Sequence, residues 1–460
     1  MSKNHPYLPN SVPEIKEKMM EEIGIESIDE LYSDVPAELR FKRELEIPGP
    51  FSEAEVRKEV SETLEKNSSL SCPPFIGGGV WPHYVPVVVD EVVRRAEFLT
   101  SYTPYQPEIS QGILQAIFEY QSLICELVGM EVANSSMYDW STALGEAARM
   151  ACRLTRKNSV LVPDLVSPQR YLVMRAYTDP AEINVEKVTH DEVTGQMDLE
   201  DLKEQITKDT AAVYIENPSY LGFLEEGVEA ISEIVHDNKS LFIVGVDPIS
   251  LGLIKPPGEY DADIVIGEGQ PLGNHMNYGG PLLGIMATKS EAKMIRQMPG
   301  RLIGITNSED GTKRGFTMTL QTREQHIRRE KATSNICSNQ ALCAVASATY
   351  LSLLGPQGIR ELGEVVASKT RYAMRKMNEV SNLKTPLFKS FHYKEFTVEY
   401  QGKTVAEINS SLLDCRLQGG KSLVSEFPEL GESVLYCVTE QHTKKDIDAL
   451  VSVLKEELED

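Results

Sequence analysis

The most constraining feature of this sequence is a series of short apolar segments that alternate with helical spans between residues 159 and 266. Short runs rich in β-branched residues predict strands, and the spans between them have the apolar spacing of helices. Strands that alternate with helices predict an α/β fold with a mainly parallel sheet. The predicted strands cover residues 159–162, 181–185, 211–216, 241–246 and 261–266. Because such sheets bind ligands beyond the carboxyl ends of their strands, the residues that follow the strands are functional candidates.

Two of these strands are followed by residues that suggest a cofactor site. Asp247 follows the fourth strand, and a Gly-rich stretch at 267–280 follows the fifth. An enzyme of this layout that carries pyridoxal phosphate needs an acid for the pyridinium nitrogen and a Schiff-base lysine just past the last strand. Asp247 fits the acid, but Gln270 stands where the lysine is required, and an amide cannot form an imine. The sequence therefore predicts a vestigial cofactor site at Asp247 and Gln270.

Other residues near this region give weaker signals. Lys255 is the nearest alternative lysine, but it precedes two prolines in a loop before the last strand, which places it on the wrong side of the site. His190 and His275 are isolated in the sequence and are expected to be satisfied core or loop histidines. Trp140 lies in the turn at 138–143, where small residues often surround a phosphate, so its indole argues against a working phosphate site on this chain.

Composition excludes several classes of protein. The net charge of -23 disfavours bulk binding to nucleic acid or to an anionic membrane. No apolar run approaches the roughly 20 residues of a membrane helix, and the first eleven residues lack a signal-peptide core. The seven scattered cysteines contain no CxxC pair and predict reduced, mostly buried thiols in a cytoplasmic protein without a metal site.

The pattern of elements predicts three regions. An N-terminal helical arm covers residues 1–70, and a large α/β domain covers 71–325. A helical link and a small α+β domain cover 326–460, with helices at 322–355, 364–378 and 444–456 and strands at 396–400, 422–424 and 433–438. The arm packs either on a neighbouring chain or over its own domain, and the sequence does not distinguish these two readings.

The loop YTPYQPEISQG at 102–112 is the first of two segments that predict contact with a substrate or a partner. Its prolines restrict the backbone and present the tyrosines rigidly. A loop that carries Tyr102, Tyr105, Gln106 and Glu108 suits a small polar substrate. The alternative is a surface turn that Ser110 caps.

The second segment is QTREQHIRREKATSNIC at 321–337, the one locally basic run in an acidic protein. The guanidinium groups of Arg323 and Arg328, beside the imidazole of His326, suit carboxylates and phosphates. A solvated helix face is the alternative. The glycine triplet at 77–79 matches no phosphate-binding loop and allows either a ligand channel or a tight turn.

These segments together resemble a known family. The strings FIGGGVWPHYVP, YTPYQPEISQG, MPGRLIGIT and QTREQHIRREKATSNIC, with the Gly-Gly-Pro turn at 279–281, are similar to the alpha (N-terminal) subunit of the glycine-cleavage P-protein. YLPN and SIDELYSDVP near the start also match. The resemblance covers residues from about 7 to 450.

The resemblance implies a fold-type-I pyridoxal-phosphate-dependent transferase architecture. It implies an α2β2 assembly in which the homologous beta subunit carries the cofactor and none is covalently bound to this chain. The complex would decarboxylate glycine and transfer the aminomethyl group to the lipoyl group of the H-protein. Candidates near a shared site or interface are then Tyr102, Tyr105, Gln106, Glu108, Arg323, His326 and Arg328.

Two other functions stay open at this point. The chain could be a purely structural or regulatory pseudoenzyme that contributes nothing to a pocket. It could also be a stand-alone enzyme whose lysine, such as Lys255, is displaced from the usual position.

Overall fold

The structure is a computed structural model that describes residues 7–43, 45–67, 69–336 and 339–459, so Cys337 lies outside the described residues. The chain divides into two compact units, Met1–Ser68 and Ser69–Asp460. The first unit contains helices α1 (Pro13–Ile23) and α2 (Glu53–Leu64), and neither helix has a buried residue. A left-handed Gly24 ends α1, and α2 was not predicted.

A seven-stranded sheet forms the centre of the second unit. Its strands are β1 (Val132–Ala133), β2 (Ser159–Pro163), β3 (Asn184–Val188), β4 (Thr210–Glu216), β5 (Leu241–Val246), β6 (Ile264–Glu268) and β7 (Gly284–Thr288). They lie in the order β1-β7-β6-β5-β4-β2-β3. The pairs from β3 to β6 are parallel, and β7 is antiparallel to both of its neighbours. The predicted mainly parallel sheet is confirmed.

Helices cover both faces of this sheet. The helices of this part of the chain are α3 (Val87–Val93), α4 (Ala96–Leu99), α5 (Gln111–Val128), α6 (Trp140–Thr155), α7 (Pro168–Thr178), α8 (Leu199–Gln205), α9 (Val228–Asp237), α10 (Ala292–Gln297), α11 (Gln325–Arg328) and α12 (Ala341–Met377). Along β4, Ala212 and Tyr214 enter one core cluster while Val213 and Ile215 enter the other. This alternation buries the strand on both sides, as expected for a parallel sheet between helical layers.

A smaller antiparallel sheet follows in the chain. Its strands are β10 (Leu383–Lys384), β11 (Glu395–Tyr400), β12 (Lys421–Ser422) and β13 (Ser433–Cys437), in the order β10-β11-β13-β12. Helices α13 (Val405–Asp414) and α14 (Lys444–Glu459) pack on it through apolar residues. A separate hairpin of β8 (Leu302–Asn307) and β9 (Arg314–Thr319) was not predicted.

Helix α12 differs from the sequence-based expectation. Residues 322–336 form short helical turns and not the predicted helix, because Arg329 has a positive φ of 56° that interrupts them. Beyond residue 340, α12 consists of two helical stretches that meet at a kink at Gly355 and Pro356, close to the predicted end of the first helix at residue 355. By length and composition α12 could cross a membrane, yet side chains such as Val345 and Leu351 are buried in the core.

The described cysteines are free thiols, but most are only half-buried. Cys437 is buried, Cys415 is exposed, and the other four lie at the edges of core clusters. The prediction of mostly buried thiols is therefore wrong for this part of the chain.

Candidate functional site

The two residues of the predicted cofactor site lie together at the carboxyl edge of the large sheet. Asp247 follows β5 directly, and Gln270 lies two residues beyond the end of β6. These strands are paired in parallel, so their ends meet at the same edge. Asp247 is 5 % exposed and Gln270 is 1 % exposed. The residues are thus placed as in the layout predicted from the sequence.

The side chain of Gln270 makes only internal hydrogen bonds. Its Oε1 accepts from the backbone N–H of Trp81 at 3.1 Å. Its Nε2 donates to the carbonyl of Asn274 at 2.8 Å and to that of Trp81 at 3.3 Å. The amide therefore holds the backbone of Trp81 in place, and it has no nucleophilic nitrogen.

Asp247 is paired with a lysine from another part of the chain. Lys394 Nζ lies 2.6 Å from Asp247 Oδ2, and the two side chains are 1 % and 7 % exposed. The same ammonium lies 4.2 Å from the centroid of the Trp81 ring, which adds a cation–π contact. Sequence reasoning missed Lys394, since nothing local to residue 394 indicates that the fold brings it to β5.

Glu268, the last residue of β6, accepts three backbone hydrogen bonds. Its Oε1 accepts from the N–H groups of Gln270 and Leu283, each at 3.0 Å, and its Oε2 accepts from that of Trp140 at 3.2 Å. Burial raises the pKa of this carboxyl to about 8, although the three donors oppose the shift. Trp140 is the first residue of α6, so Glu268 occupies a helix N-terminus that would otherwise attract an anion.

The indole of Trp140 fills the space above the strand ends. It is 3 % exposed, and its Nε1 donates to Tyr214 Oη at 3.0 Å. The guanidinium of Arg170 lies 3.6 Å from the ring centroid and forms a buried ion pair with Glu216 at 2.8 Å. A Cβ on Gly245 of β5 would lie 2.7 Å from Trp140 Cζ2, so the indole packs directly on the strand that ends in Asp247.

These contacts do not fit a covalently held pyridoxal phosphate. The lysine position carries an amide, the acid is already paired, and an indole occupies the volume over β5. What remains is a cleft of about 170 Å³ beside the buried groups. It is lined by Gly78, Gly79, Asp139, Ser141, Ser167, Gln169 and Arg170, among others.

The glycine triplet forms a tight turn beside the cleft. Gly78 has a φ of +92°, and its N–H donates to Glu395 Oε1 at 2.6 Å. A Cβ on Gly77 would lie 2.0 Å from the same oxygen, so that position has no room for a side chain. Gly78 and Gly79 also line the cleft. The triplet is therefore a tight turn that forms one wall of a cavity.

A second cluster combines the two segments predicted to contact a substrate or a partner. Tyr105 Oη accepts from Arg301 at 2.9 Å, and the Tyr105 ring meets the His326 ring edge-on at 6.0 Å. Arg301 also forms a buried ion pair with Glu324 at 3.1 Å. A cleft of about 550 Å³ opens there, lined by Tyr105, Glu324, Gln325, His326, Arg329, Glu330 and Ile336. The structure thus places Tyr105 and His326 on one accessible wall.

The other predicted site residues of these two segments do not line this cleft. Tyr102, Gln106, Glu108 and Arg328 are exposed. Arg323 is buried and donates to the carbonyls of Met298 and Gly300, so its guanidinium supports that turn instead of facing a ligand. Burial lowers the pKa of Arg323 to about 10.

The lone histidines and Lys255 have ordinary partners. His190 pairs with Asp164 at 2.8 Å, and His275 pairs with Asp90 at 2.9 Å. Lys255 is half-exposed and contacts Glu229 at 3.3 Å. Within the described residues, no group of three or more His, Cys, Asp or Glu side chains is arranged to hold a metal.

Comparison with known proteins gives consistent full-length matches. The profile of the glycine cleavage system P-protein family matches residues 5–454. The chain is 52 % identical over 460 residues to a probable glycine dehydrogenase (decarboxylating) subunit 1 from Staphylothermus marinus, covering 98 % of each chain. It is 51 % identical to the protein of the same name from Thermococcus onnurineus, covering 98 % of this chain and 99 % of that one.

Solved structures agree with these sequence matches. An inhibitor-bound crystal structure of glycine decarboxylase (P-protein) of the glycine cleavage system superimposes with a TM-score of 0.86 at 37 % identity, covering 98 % of this chain and 99 % of that one. A cysteine desulfurase from Thermococcus onnurineus superimposes with a TM-score of 0.62 at 15 % identity, covering 90 % and 100 %, which shows the fold alone. The predicted fold-type-I pyridoxal-phosphate-dependent architecture is confirmed.

Proposed function

This chain belongs to the glycine cleavage system P-protein family, and we propose that it is the subunit without the Schiff-base lysine in a two-chain glycine decarboxylase. The observation that carries the proposal is Gln270, whose amide is held by internal hydrogen bonds at the lysine position. The relatives named as subunit 1 support a partner chain. Alone, this chain would be inactive.

In the proposed assembly, a homologous beta subunit carries pyridoxal phosphate in an α2β2 complex in the cytoplasm. The cofactor, when bound there, supplies an electron sink for decarboxylation of glycine. The aminomethyl group then passes to the lipoyl group of the H-protein. This chain would supply part of the wall of the shared site, and the accessible cluster of Tyr105 and His326 is suited to that role.

Reconstitution tests whether the beta partner carries the cofactor and whether activity requires both chains. We would purify this chain alone and mixed with its presumed beta partner, then record the visible absorbance of lysine-bound pyridoxal phosphate and the exchange of bicarbonate into glycine. We expect the absorbance band and the exchange only in the mixture. The same band in the isolated chain would contradict the proposal and favour a stand-alone enzyme with a displaced lysine.

Substitutions on the exposed wall test whether this chain contributes to the shared site. Tyr105→Ala and Arg328→Ala should each lower exchange by about ten-fold or more in the reconstituted complex, because misplaced substrate-positioning groups are costly. Arg360→Ala, which changes an exposed arginine on α12, is the matched control. Losses of only a few-fold would remove these residues from the site. Activity that merely follows the yield of complex, measured by gel filtration, would favour the structural pseudoenzyme.

A further inference from the structure

We infer that Lys394 is the residue that closes the pocket of this subunit to pyridoxal phosphate. It does so by holding the carboxylate of Asp247, the group that would otherwise pair with a pyridinium nitrogen. The inference rests on the proposed function, in which the partner subunit carries the cofactor. It adds that loss of the lysine at position 270 is not the only barrier to cofactor binding.

The ion pair makes displacement of Lys394 unfavourable. Both charged groups are almost fully buried, and at a separation of 2.6 Å each is the counter-ion of the other. The ammonium makes no hydrogen bond of standard geometry among the described residues, so its charge depends on this ion pair. A pyridinium that took the carboxylate would leave the buried ammonium against the Trp81 ring, with no other carboxylate of the described residues within 4 Å. An unpaired buried charge is strongly destabilising, so a cofactor would have to expel the lysine side chain from the interior.

The backbone around Lys394 resists such a movement. Lys394 has a φ of +62°, which a non-glycine residue adopts only when its surroundings require it. On one side, the N–H of Tyr393 donates to the carbonyl of Gly222 at 2.9 Å. On the other side, Glu395 Oε1 accepts from the N–H of Gly78. These contacts hold the segment from both flanks, so the ammonium is directed at Asp247 by the fold.

Two other side chains narrow the pocket without pairing with the acid. Glu268 accepts the N–H at the start of α6, and the Trp140 indole packs over Gly245. Neither places a positive charge on Asp247, whereas the Lys394 ammonium does. Restoring a lysine at position 270 would therefore leave the acid unavailable.

Labelling of the full chain tests this assignment. Gln270→Lys and the double variant Gln270→Lys/Lys394→Met would be incubated with pyridoxal phosphate, reduced with borohydride and mapped by mass spectrometry for label at position 270. We expect at most trace label in the single variant and about ten-fold more in the double variant, since the freed carboxylate favours a bound pyridinium. The shift of Tm on cofactor addition should follow the same order.

A matched variant and a milder one complete the design. Gln270→Lys/Lys421→Met is the matched variant, because it removes a different lysine, Lys421, which is ion-paired with Glu426. Position 270 of this variant should stay unlabelled. If Lys394→Met prevents folding, Lys394→Gln keeps the length of the side chain and removes the charge, and should give the same gain. Equal labelling of the single and double variants, or no gain in any folded double variant, would overturn the assignment. Exchange activity of the wild-type mixture tests the proposed function separately, because label at position 270 reports on this chain alone.

Discussion

Individual residues in the interior of this protein are held in fixed charge states by their surroundings. His392 is a clear case, because it is 2 % exposed and its Nδ1 lies 2.9 Å from the carbonyl of Ser390. Its Nε2 has no hydrogen-bond partner among the described residues. Burial lowers the pKa of His392 to about 4, so the ring stays neutral where an exposed histidine would be charged.

This shift predicts a pH dependence of stability. Below about pH 6.5 the unfolded chain takes up a proton at residue 392, whereas the folded chain does not until about pH 4. The free energy of unfolding therefore does not depend on this group above about pH 6.5. As the pH falls from about 6.5 to about 4, the free energy of unfolding decreases by up to ~3 kcal/mol. His392→Phe should flatten the fall in the free energy of unfolding, measured by urea denaturation of the isolated chain at several pH values. Parallel wild-type and variant curves would contradict this prediction.

At this scale, the sequence predicted only what lies next to a strand end. Asp247 and Gln270 could be placed because each follows a recognisable strand. Lys394 and Arg170 could not be placed from the sequence. Their ion-pair partners, Asp247 and Glu216, lie far from them along the chain, and no local sequence pattern indicates such a contact. The same limit explains Arg323, whose basic neighbours predicted a ligand but whose guanidinium holds a backbone turn.

Among the secondary-structure elements, α12 shows how one glycine allows a long helix to bend. Gly355 has φ 60° and ψ -177°, a region that is essentially restricted to glycine, and Pro356 follows it. The hydrogen-bonded helix continues on both sides of this point. The bend therefore depends on the missing Cβ at position 355.

Gly355→Ala should destabilise the isolated chain by ~1–3 kcal/mol, because alanine must adopt a strained backbone there. Gly112→Ala is the matched control: Gly112 lies in the first turn of α5, and its Cβ would meet no atom within 4 Å. That change should stabilise the chain by up to ~1 kcal/mol. Denaturant midpoints of both variants measure the difference, and a loss of the same size in both would refute the explanation.

The elements themselves were largely predictable from periodicity, whereas their boundaries depended on turn geometry. Strands β3 and β6 start three residues later than predicted, at Asn184 and Ile264. The residues before them form tight turns, and Asp261 has a left-handed backbone, which apolar spacing does not reveal. The β8–β9 hairpin was not predicted, although β8 (LIGITN) is partly apolar and β9 (RGFTMT) alternates between apolar and polar residues.

At the scale of the whole molecule, the N-terminal unit has no buried side chain in either of its described helices, α1 and α2. Helix α1 presents Ile15, Met19 and Ile23 along one stripe, at 42, 44 and 58 % exposure. Helix α2 presents Val56, Val60 and Leu64 in the same i, i+4, i+8 pattern, at 46, 51 and 53 % exposure. Apolar stripes of this kind pack against another surface in most proteins.

We expect this arm to be protected only in the complex. Limited proteolysis of the isolated chain should cut first within residues 7–67, and addition of the beta partner should slow these cuts by about ten-fold, since ordered, packed backbone resists proteases. Cleavage within the 444–459 helix serves as the control, because its apolar side is already buried. Equal resistance of the arm with and without the partner would favour packing on its own domain.

The contacts of Glu268, Gln270 and Lys394 have a consequence for how the protein is made. Each gives a buried polar group a partner from within the same chain. On the proposed function, newly synthesised copies would therefore reach their final state without waiting for a small molecule.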